Sequence, residues 1–258
     1  ALSILFPIYY VFATSLKSRA DIFASPPKLW FSLSSVTNNY YRPFVIENYF
    51  RLLINSLVIS LGNVFVCVPA AFLAGYSLSR YRLRGAKELD FVALTFRMGP
   101  AAAYIIPYYL LSYRLGLFDT HLGLIIFYNV FNLPFALWLL KAGIDSVPLE
   151  IEESALIDGA SLNTVLTRIV VPLVSPALAA SAVFVFLFSW NEYLFASILT
   201  GREARTVTTG LVAFVTHAGL RWGEMAAVSV VCMVPSIFLL LVAQRYLISG
   251  LTFGAVKG

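Results

Sequence analysis

The residues of this chain best suited to hold a ligand are Trp190, Asn191 and Glu192, followed by Tyr193. They lie inside a long apolar segment, where an ionisable side chain is expected to face protein or water. An indole can stack on the apolar face of a sugar ring, and the neighbouring amide and carboxylate can hydrogen-bond its hydroxyl groups. Two alternatives stay open. Glu192 can lie near the outer end of its helix and reach solvent, or Trp190 and Asn191 can hold a partner subunit.

Arg97 is the second charge placed within an apolar segment. Its guanidinium can attract an acidic sugar such as a uronate oligosaccharide. It can equally pair with Glu192 or with a partner carboxylate, or extend from the first turns of its helix to the membrane interface. The last two alternatives need no ligand, so Arg97 is only a candidate for the pathway.

The sequence gives no support for a metal site. His121 and His217 are isolated from any cysteine or paired carboxylate, and Cys67 and Cys232 each lie inside an apolar run. Cysteines in such surroundings are expected to be small packing residues.

Composition places these residues in a membrane protein. The 258 residues are 60% hydrophobic and 12% charged, whereas a soluble domain carries about a quarter charged residues. The net charge of +5 is modest, and no basic cluster alternates with aromatic residues as a nucleic-acid surface requires.

Uncharged stretches predict the spanning helices. We predict an all-α integral membrane protein with six transmembrane helices in a single domain over residues 1–258. The segment Ala1 to Leu16 is too short to span, so we interpret it as the second half of a first helix truncated at its N-terminus. The other five are expected at about 52–79, 91–113, 120–140, 169–200 and 225–244.

The polar loop 143–171 is the main interruption of these apolar runs. Pro148 suits the first position of a helix, with Ser146 or Asp145 as its cap, and acidic residues follow in the first turns. Asp158-Gly159 predicts a stop in which Gly159 is left-handed, and Ser161 can cap the next helix. Small residues at Ala155, Gly159 and Ala160 would let another protein approach closely.

A specific spacing in this loop resembles the EAA loop of ABC-importer permeases. Glu153-Ser154-Ala155 is followed after three residues by Gly159, and after nine more by Ile169-Val170-Val171-Pro172. The family pattern has Ala and Leu where this chain has Ser154 and Val171. In that family the loop is a cytoplasmic coupling helix that sits in a groove of the ATPase subunit.

Other stretches resemble the carbohydrate-importer group of these permeases, and particularly the smaller permease of maltose-type importers. They are Ala70 to Gly85, Leu115 to Thr120, Trp190 to Tyr193 and the tail Gly250 to Gly258. The resemblance implies a type I ABC importer permease fold in the bacterial cytoplasmic (inner) membrane. It also implies a heterodimer with a second permease, two ATP-binding subunits and an extracytoplasmic substrate-binding protein, with a sugar or oligosaccharide as substrate.

The resemblance assigns roles to particular residues. The chain itself is expected to have no catalysis and no cofactor, because ATP and Mg would bind the partner subunits. The loop 143–171 and the tail 246–258 would face the cytoplasm; the distribution of Lys and Arg does not by itself decide the orientation. The expected ATPase-coupling residues are Glu153, Ser154, Ala155, Asp158, Gly159, Ile169 and Pro172. The expected pathway residues are Trp190, Asn191, Glu192, Tyr193 and Arg97, and the expected tail contacts with the ATPase are Thr252, Gly254 and Lys257.

Three alternatives to this function stay open. An ion-coupled secondary transporter usually shows inverted repeats and midplane ion sites, and no repeat is evident here. A membrane scaffold without a pathway predicts no transport defect on deletion. An ABC permease for a non-sugar solute differs only in the features carried by family likeness.

Overall fold

The computed structural model of the protein describes residues 2–30, 33–81, 85, 92, 95, 97–216 and 219–252, and these are mostly helical. A two-stranded antiparallel hairpin pairs Val215 with Leu220. The α-helices are α1 Leu2–Leu16, α2 Arg19–Ile22, α3 Val36–Tyr41, α4 Tyr49–Arg80, α5 Ala101–Arg114, α6 His121–Asp145, α7 Leu149–Ile157, α8 Leu162–Val165, α9 Val171–Leu173, α10 Ser175–Trp190, α11 Leu194–Leu199, α12 Val207–Leu211 and α13 Trp222–Thr252, and the strands are β1 Val215–Thr216 and β2 Gly219–Leu220.

Within the described residues, three helices are long and apolar enough to span a membrane: Tyr49–Arg80, His121–Asp145 and Trp222–Gln244. A fourth span results if the pair Leu162–Leu173 and Ser175–Trp190, bent by 77°, is counted as one. The predicted helices 52–79, 120–140 and 225–244 therefore correspond to observed helices that extend further at their ends.

Two predicted elements differ from the structure. The single helix expected over 169–200 is wrong, because the chain bends at Val174, just before α10, and α10 ends at Trp190 before the short α11. Pro176 suits the first turn of a new helix, which is why a helix starts there. The third predicted helix, 91–113, is interrupted at Gly99 and Pro100, and α5 begins after this break at Ala101. Much of 91–96 lies outside the described residues.

Helix α4 is the central element and packs along α6, with α10 against both. Gly75 permits the close approach, since a Cβ there would lie 3.3 Å from the backbone nitrogen of Lys141. Without a hydrophobic driving force between helices in lipid, small residues of this kind allow the van der Waals packing that holds helices together.

A buried polar triangle joins these three helices. Asn132 Nδ2 donates to Asn63 Oδ1 at 2.8 Å and to Ser189 Oγ at 3.0 Å. Asn63 Nδ2 donates in turn to the carbonyl of Ile125 at 3.0 Å. Such interhelical bonds contribute about 0.6 kcal/mol on average in a membrane protein, and together they favour one relative position of α4, α6 and α10.

The two ends of α4 define the two faces of the molecule. The helix has 32 residues and is therefore about 48 Å long. Its C-terminal residue Arg80 contacts α7, while near its N-terminus Arg51 pairs with Glu203 and Tyr49 donates to the carbonyl of Gly210. Helix α7 and the loop around residues 200–210 therefore lie on opposite faces.

Candidate functional site

Helix α7 begins and ends as a separate short rod on one face of the protein. Pro148 is its N-terminal flanking residue and no side chain caps it. The predicted caps are wrong: Ser146 donates to the carbonyl of Gly143, and Asp145 pairs with Lys141 at 2.9 Å. Both side chains are engaged by the last turn of α6, so they are not available to α7. Glu150 and Glu152 occupy the first turn of α7, as predicted.

One acidic residue of α7 points into the protein. Glu152 is only 2% exposed, and its carboxylate accepts hydrogen bonds from Arg80 Nε and Tyr76 Oη, each at 2.8 Å. Arg80 Nη2 also donates to the carbonyls of Ile144 and Val147, both at 3.0 Å. A buried carboxylate requires this kind of full hydrogen bonding and charge pairing. The network joins α7, the end of α6 and the end of α4.

The other side of α7 faces outward. Glu153 and Ser154 are exposed, and so are Leu156 and Ile157, the latter by 86%. Sequence reasoning missed these two apolar residues and the role of Glu152. The apolar pair just before Asp158-Gly159 was the available signal in the sequence for an outward contact.

The small residues of the loop have different surroundings. Ala155 and Ala160 pack against the chain's own core, the cluster that includes Val165 and Val170, so their small size serves packing within this chain. Gly159 alone is open: its φ is +87° and nothing lies within 4 Å of a Cβ placed there. The predictions of a left-handed Gly159 and of a Ser161 cap are confirmed, since Ser161 Oγ accepts from the N–H of Thr164 at 3.3 Å.

The second half of the predicted motif leads into the membrane. Ile169 packs on the same core as Ala155, Pro172 is exposed, and a π-helical turn over Leu166–Val170 joins α8 to α9. After the bend, α10 continues from Ser175. Asp158, the remaining predicted coupling residue, is exposed at the end of α7.

The side chains of the predicted pathway sequence do not gather in one cavity. Trp190 is 3% exposed, stacks on Phe186 and donates its indole N–H to the carbonyl of Cys232 at 3.2 Å. It therefore holds α10 against α13. Asn191 is exposed and donates to the carbonyl of Leu187 at 2.8 Å.

Glu192 and Tyr193 lie at the start of α11. The carboxylate of Glu192 accepts from the N–H groups of Phe195 and Ala196, at 2.9 and 3.0 Å. It thereby satisfies donors at the helix N-terminus that have no partner within the helix. Tyr193 lines an open cavity of about 350 Å³ together with Thr200, Arg205 and Thr209.

Arg97 is held by aromatic rings and a backbone carbonyl. Its guanidinium carbon lies 4.3 Å from the centre of the Phe188 ring and 4.9 Å from that of Phe135, and Nη1 donates to the carbonyl of Phe131. A cation at these distances from ring faces is attracted by the ring quadrupoles. Among the described residues it forms no ion pair with Glu192, whose carboxylate bonds to α11 instead.

Asp119 organises the face opposite to α7. Its carboxylate accepts from the backbone N–H groups of Arg202, Glu203 and Ala204, at 2.9 to 3.1 Å. Burial opposes ionisation, but these donors outweigh it and hold the pKa of Asp119 below its ordinary value. Sequence reasoning placed Asp119 in a family motif without a role.

The predicted tail contacts lie at or beyond the C-terminal end of the described residues. Thr252 is the last residue of α13, and Gly254 and Lys257 lie outside the described residues, as does His217.

Curated relatives match nearly the whole chain. The inner membrane ABC transporter permease protein YcjP of Escherichia coli is 35% identical over 98% of this chain and 91% of its own length. The trehalose transport system permease protein SugB of Mycobacterium tuberculosis is 34% identical over 98% of this chain and 93% of its own. The trehalose/maltose transport system permease protein MalG of Thermococcus litoralis is 32% identical over 100% of this chain and 93% of its own.

A solved structure has the same fold. It is the crystal structure of a bacterial ABC transporter involved in the import of the acidic polysaccharide alginate, matched with a TM-score of 0.78 at 23% identity, over 95% of this chain and 91% of that one. A family model described as binding-protein-dependent transport system inner membrane component matches residues 67–252, which is well over half of the chain. The chain therefore belongs to the family of binding-protein-dependent transport system inner membrane components.

Proposed function

We propose that this chain is a transmembrane permease subunit of an ATP-driven, binding-protein-dependent importer for sugars or oligosaccharides. Relatives over most of its length are named as transport components for diacetylchitobiose, trehalose, maltose and maltodextrin. The family is one of translocation subunits rather than enzymes. ATP and Mg bind the partner subunits, and this chain contributes the path and the mechanical connection.

The assembly follows from the family. The chain pairs with a second permease, and two ATP-binding subunits and an extracytoplasmic substrate-binding protein complete the transporter. The chain forms one transmembrane domain over 1–258 with six spans, and its loop 143–171 and tail 246–258 contact the ATPases. Thr252, Gly254 and Lys257 are the tail residues assigned to that contact.

The observation that supports this function best is the arrangement of α7. Its outward side carries exposed Leu156 and Ile157, and its inward side is joined through Glu152 to Arg80 at the end of α4. Apolar contacts outside and a buried ion pair inside are what a docking helix needs if it is to pass a displacement to a spanning helix.

The residues of the loop 143–171 have three different roles in this proposal. Glu153, Ser154 and Asp158 face the ATPase groove, Ala155 and Ile169 keep the rod against the core, and Gly159 makes the turn back to the membrane. Pro172 lies just before the bend at Val174. ATP binding moves α7, the bent helices open the cavity outward to receive the sugar, and hydrolysis resets them.

The residues predicted to line the substrate pathway have more limited roles in this proposal than direct binding of sugar by all of them. Tyr193 lines an open cavity on the face of the binding protein, and Arg97 lies at membrane depth between aromatic rings. Trp190 supports that region by holding α10 against α13, Glu192 caps the start of α11, and Asn191 is exposed between these two helices.

The test is reconstitution of the assembled transporter in proteoliposomes. ATP hydrolysis and uptake are measured with the binding protein and a panel of neutral and acidic oligosaccharides, with an amino acid and phosphate as non-sugar solutes. Ile157→Glu is expected to abolish stimulated hydrolysis, while the conservative Ile157→Leu retains it. Uptake that collapses with an uncoupler but survives depletion of ATP contradicts the proposal.

A further inference from the structure

A basic cavity lies on the face opposite to α7, where the start of α13 meets the segment between α1 and α4. Its volume is about 410 Å³, and Lys17, Arg19, Arg42 and Arg221 line it. Arg42 and Arg221 share the carboxylate of Glu47, and Arg221 also contacts Glu224. Four cations thus face two carboxylates, which leaves the cavity electropositive.

Lys17 is the unusual member of this group. It is only 2% exposed, and its ammonium donates to the carbonyl of Lys28 at 2.5 Å and lies 5.3 Å from the centre of the Tyr10 ring. It forms no ion pair with a carboxylate in the part of the chain that the structure describes. A buried ammonium without a counter-ion is unfavourable, so its position beside the cavity favours an anion within it.

An apolar cleft continues from the basic cavity. It has a volume of about 330 Å³ and lies between α1 and α13, where Val11, Phe23, Met225 and Ala226 line it. Ile22 and Trp222 line both spaces, which places the two next to each other. The outward residues of α1 include exposed Leu5, Phe6, Ile8 and Phe12, so this side of the cleft faces the hydrocarbon of the membrane.

We propose that the cavity and the cleft together bind one anionic phospholipid of the leaflet opposite to α7. Its phosphate and headgroup occupy the basic cavity near Lys17 and Arg19, and an acyl chain occupies the cleft along α1 and α13. A soluble anion would leave the cleft unfilled, and a neutral lipid would leave the two excess cations uncompensated. The lipid would hold α1 to α13 independently of the sugar that is transported.

The experiment titrates the purified, delipidated transporter complex with lipids and detects binding by native mass spectrometry. The probes are phosphatidylglycerol, phosphatidylethanolamine with the same acyl chains, and soluble glycerol 1-phosphate. We expect phosphatidylglycerol to bind more tightly than phosphatidylethanolamine, and glycerol 1-phosphate not to compete. Arg19→Gln removes an exposed cation with no ion pair in the described chain, and is expected to weaken phosphatidylglycerol binding roughly fivefold.

Two further variants separate the parts of the site. Arg51→Gln removes the same charge from the same face without touching the cavity and should leave lipid binding unchanged. Val11→Phe fills the cleft and should weaken both lipids. Equal binding of the two lipids, an Arg19→Gln variant with unchanged phosphatidylglycerol binding, or full competition by glycerol 1-phosphate overturns the proposal. A loss of the partner permease from Arg19→Gln complexes, with lipid binding unaffected, would assign the cavity to an acidic protein segment instead.

Discussion

Arg80 and Glu152, 72 residues apart in sequence, form a buried ion pair that ties the end of the longest described helix to the short rod α7. The same guanidinium donates to the carbonyls of Ile144 and Val147, which end α6 and precede α7. A single side chain thus holds three segments at one point.

Removal of Glu152 should therefore separate these segments. Glu152→Ala leaves the guanidinium of Arg80 and the hydroxyl of Tyr76 buried without their partner, which is expected to cost about 3–5 kcal/mol. The free energy of unfolding is measured in detergent, beside transport by the assembled complex. Glu150→Ala, on the exposed side of the same helix, is the control and should change stability by less than about 0.5 kcal/mol. Equal stability of the two variants would show that the pair contributes nothing.

The turn at Gly159 gives a second prediction. Its φ of +87° is closed to proline, whose ring fixes φ near −65°, and the Gly159 N–H also donates to the carbonyl of Leu156 at 3.1 Å. Gly159→Pro should abolish transport and ATPase stimulation while the chain still inserts. Gly159→Asn should retain most activity, because asparagine enters the left-handed region more readily than other side chains. Normal uptake by the proline variant would refute the coupling role of the loop.

A bulky charge at Ala155 is the third prediction. Ala155 packs on the chain's own core, the buried cluster that includes Val165, so Ala155→Glu forces a carboxylate against an apolar surface without a partner. Transport and ATPase stimulation should be lost, and thermal unfolding should occur at a lower temperature. Ala142→Glu, at an exposed position on the same face, should leave both measurements near those of the unmodified chain. An Ala155→Glu variant of unchanged stability would indicate that this position faces the ATPase instead.

Asp119 predicts a pH dependence on the opposite face. Its carboxyl has a lowered pKa in the folded protein, so the stability it contributes is complete above its unfolded pKa of about 3.9 and is lost as the pH falls through the folded value. Asp119→Asn should cost about 1 kcal/mol at pH 7, after allowance for solvent screening. The difference between the two proteins should shrink as the pH falls below the unfolded pKa and vanish once the pH is below the folded one. A constant difference across this range, measured by chemical unfolding, would contradict the assignment.

Arg97 gives a prediction about the substrate. Arg97→Met keeps an unbranched side chain between Phe135 and Phe188 but removes the charge. If Arg97 only stabilises the packing of these helices, uptake of neutral and acidic oligosaccharides should fall in the same proportion. A selective loss for the acidic substrate, read from competition between the two, would assign Arg97 to recognition. We expect the first result, because the cation already contacts two ring faces and the carbonyl of Phe131.

Local signals in the sequence predicted the turns of the loop well. Gly159 and Ser161 have strong intrinsic preferences for a left-handed turn and a helix cap, and both behave accordingly. The apolar runs located α4, α6 and α13 for the same reason, since their length is set by the membrane.

Contacts between distant segments were not predictable in this way. Trp190 and Glu192 have the composition of a sugar site, yet tertiary packing places the indole on Phe186 and the carboxylate on the first N–H groups of α11. Likewise, nothing near Arg80 in the sequence indicates its partner Glu152. Pairing over such separations depends on which helices meet, and that depends on the packing of α4, α6 and α10.

The 77° angle between Leu162–Leu173 and Ser175–Trp190 has a mechanical consequence. The first arm is about 18 Å long and the second about 24 Å, at 1.5 Å per residue. If the joint keeps this angle, the two arms rotate together as one rigid body. A displacement of about 5 Å at the free end of the short arm then turns the pair by about 16° and moves the far end of α10 sideways by about 7 Å. A displacement across the membrane thus becomes a sideways separation of helices that is about 1.3 times as large.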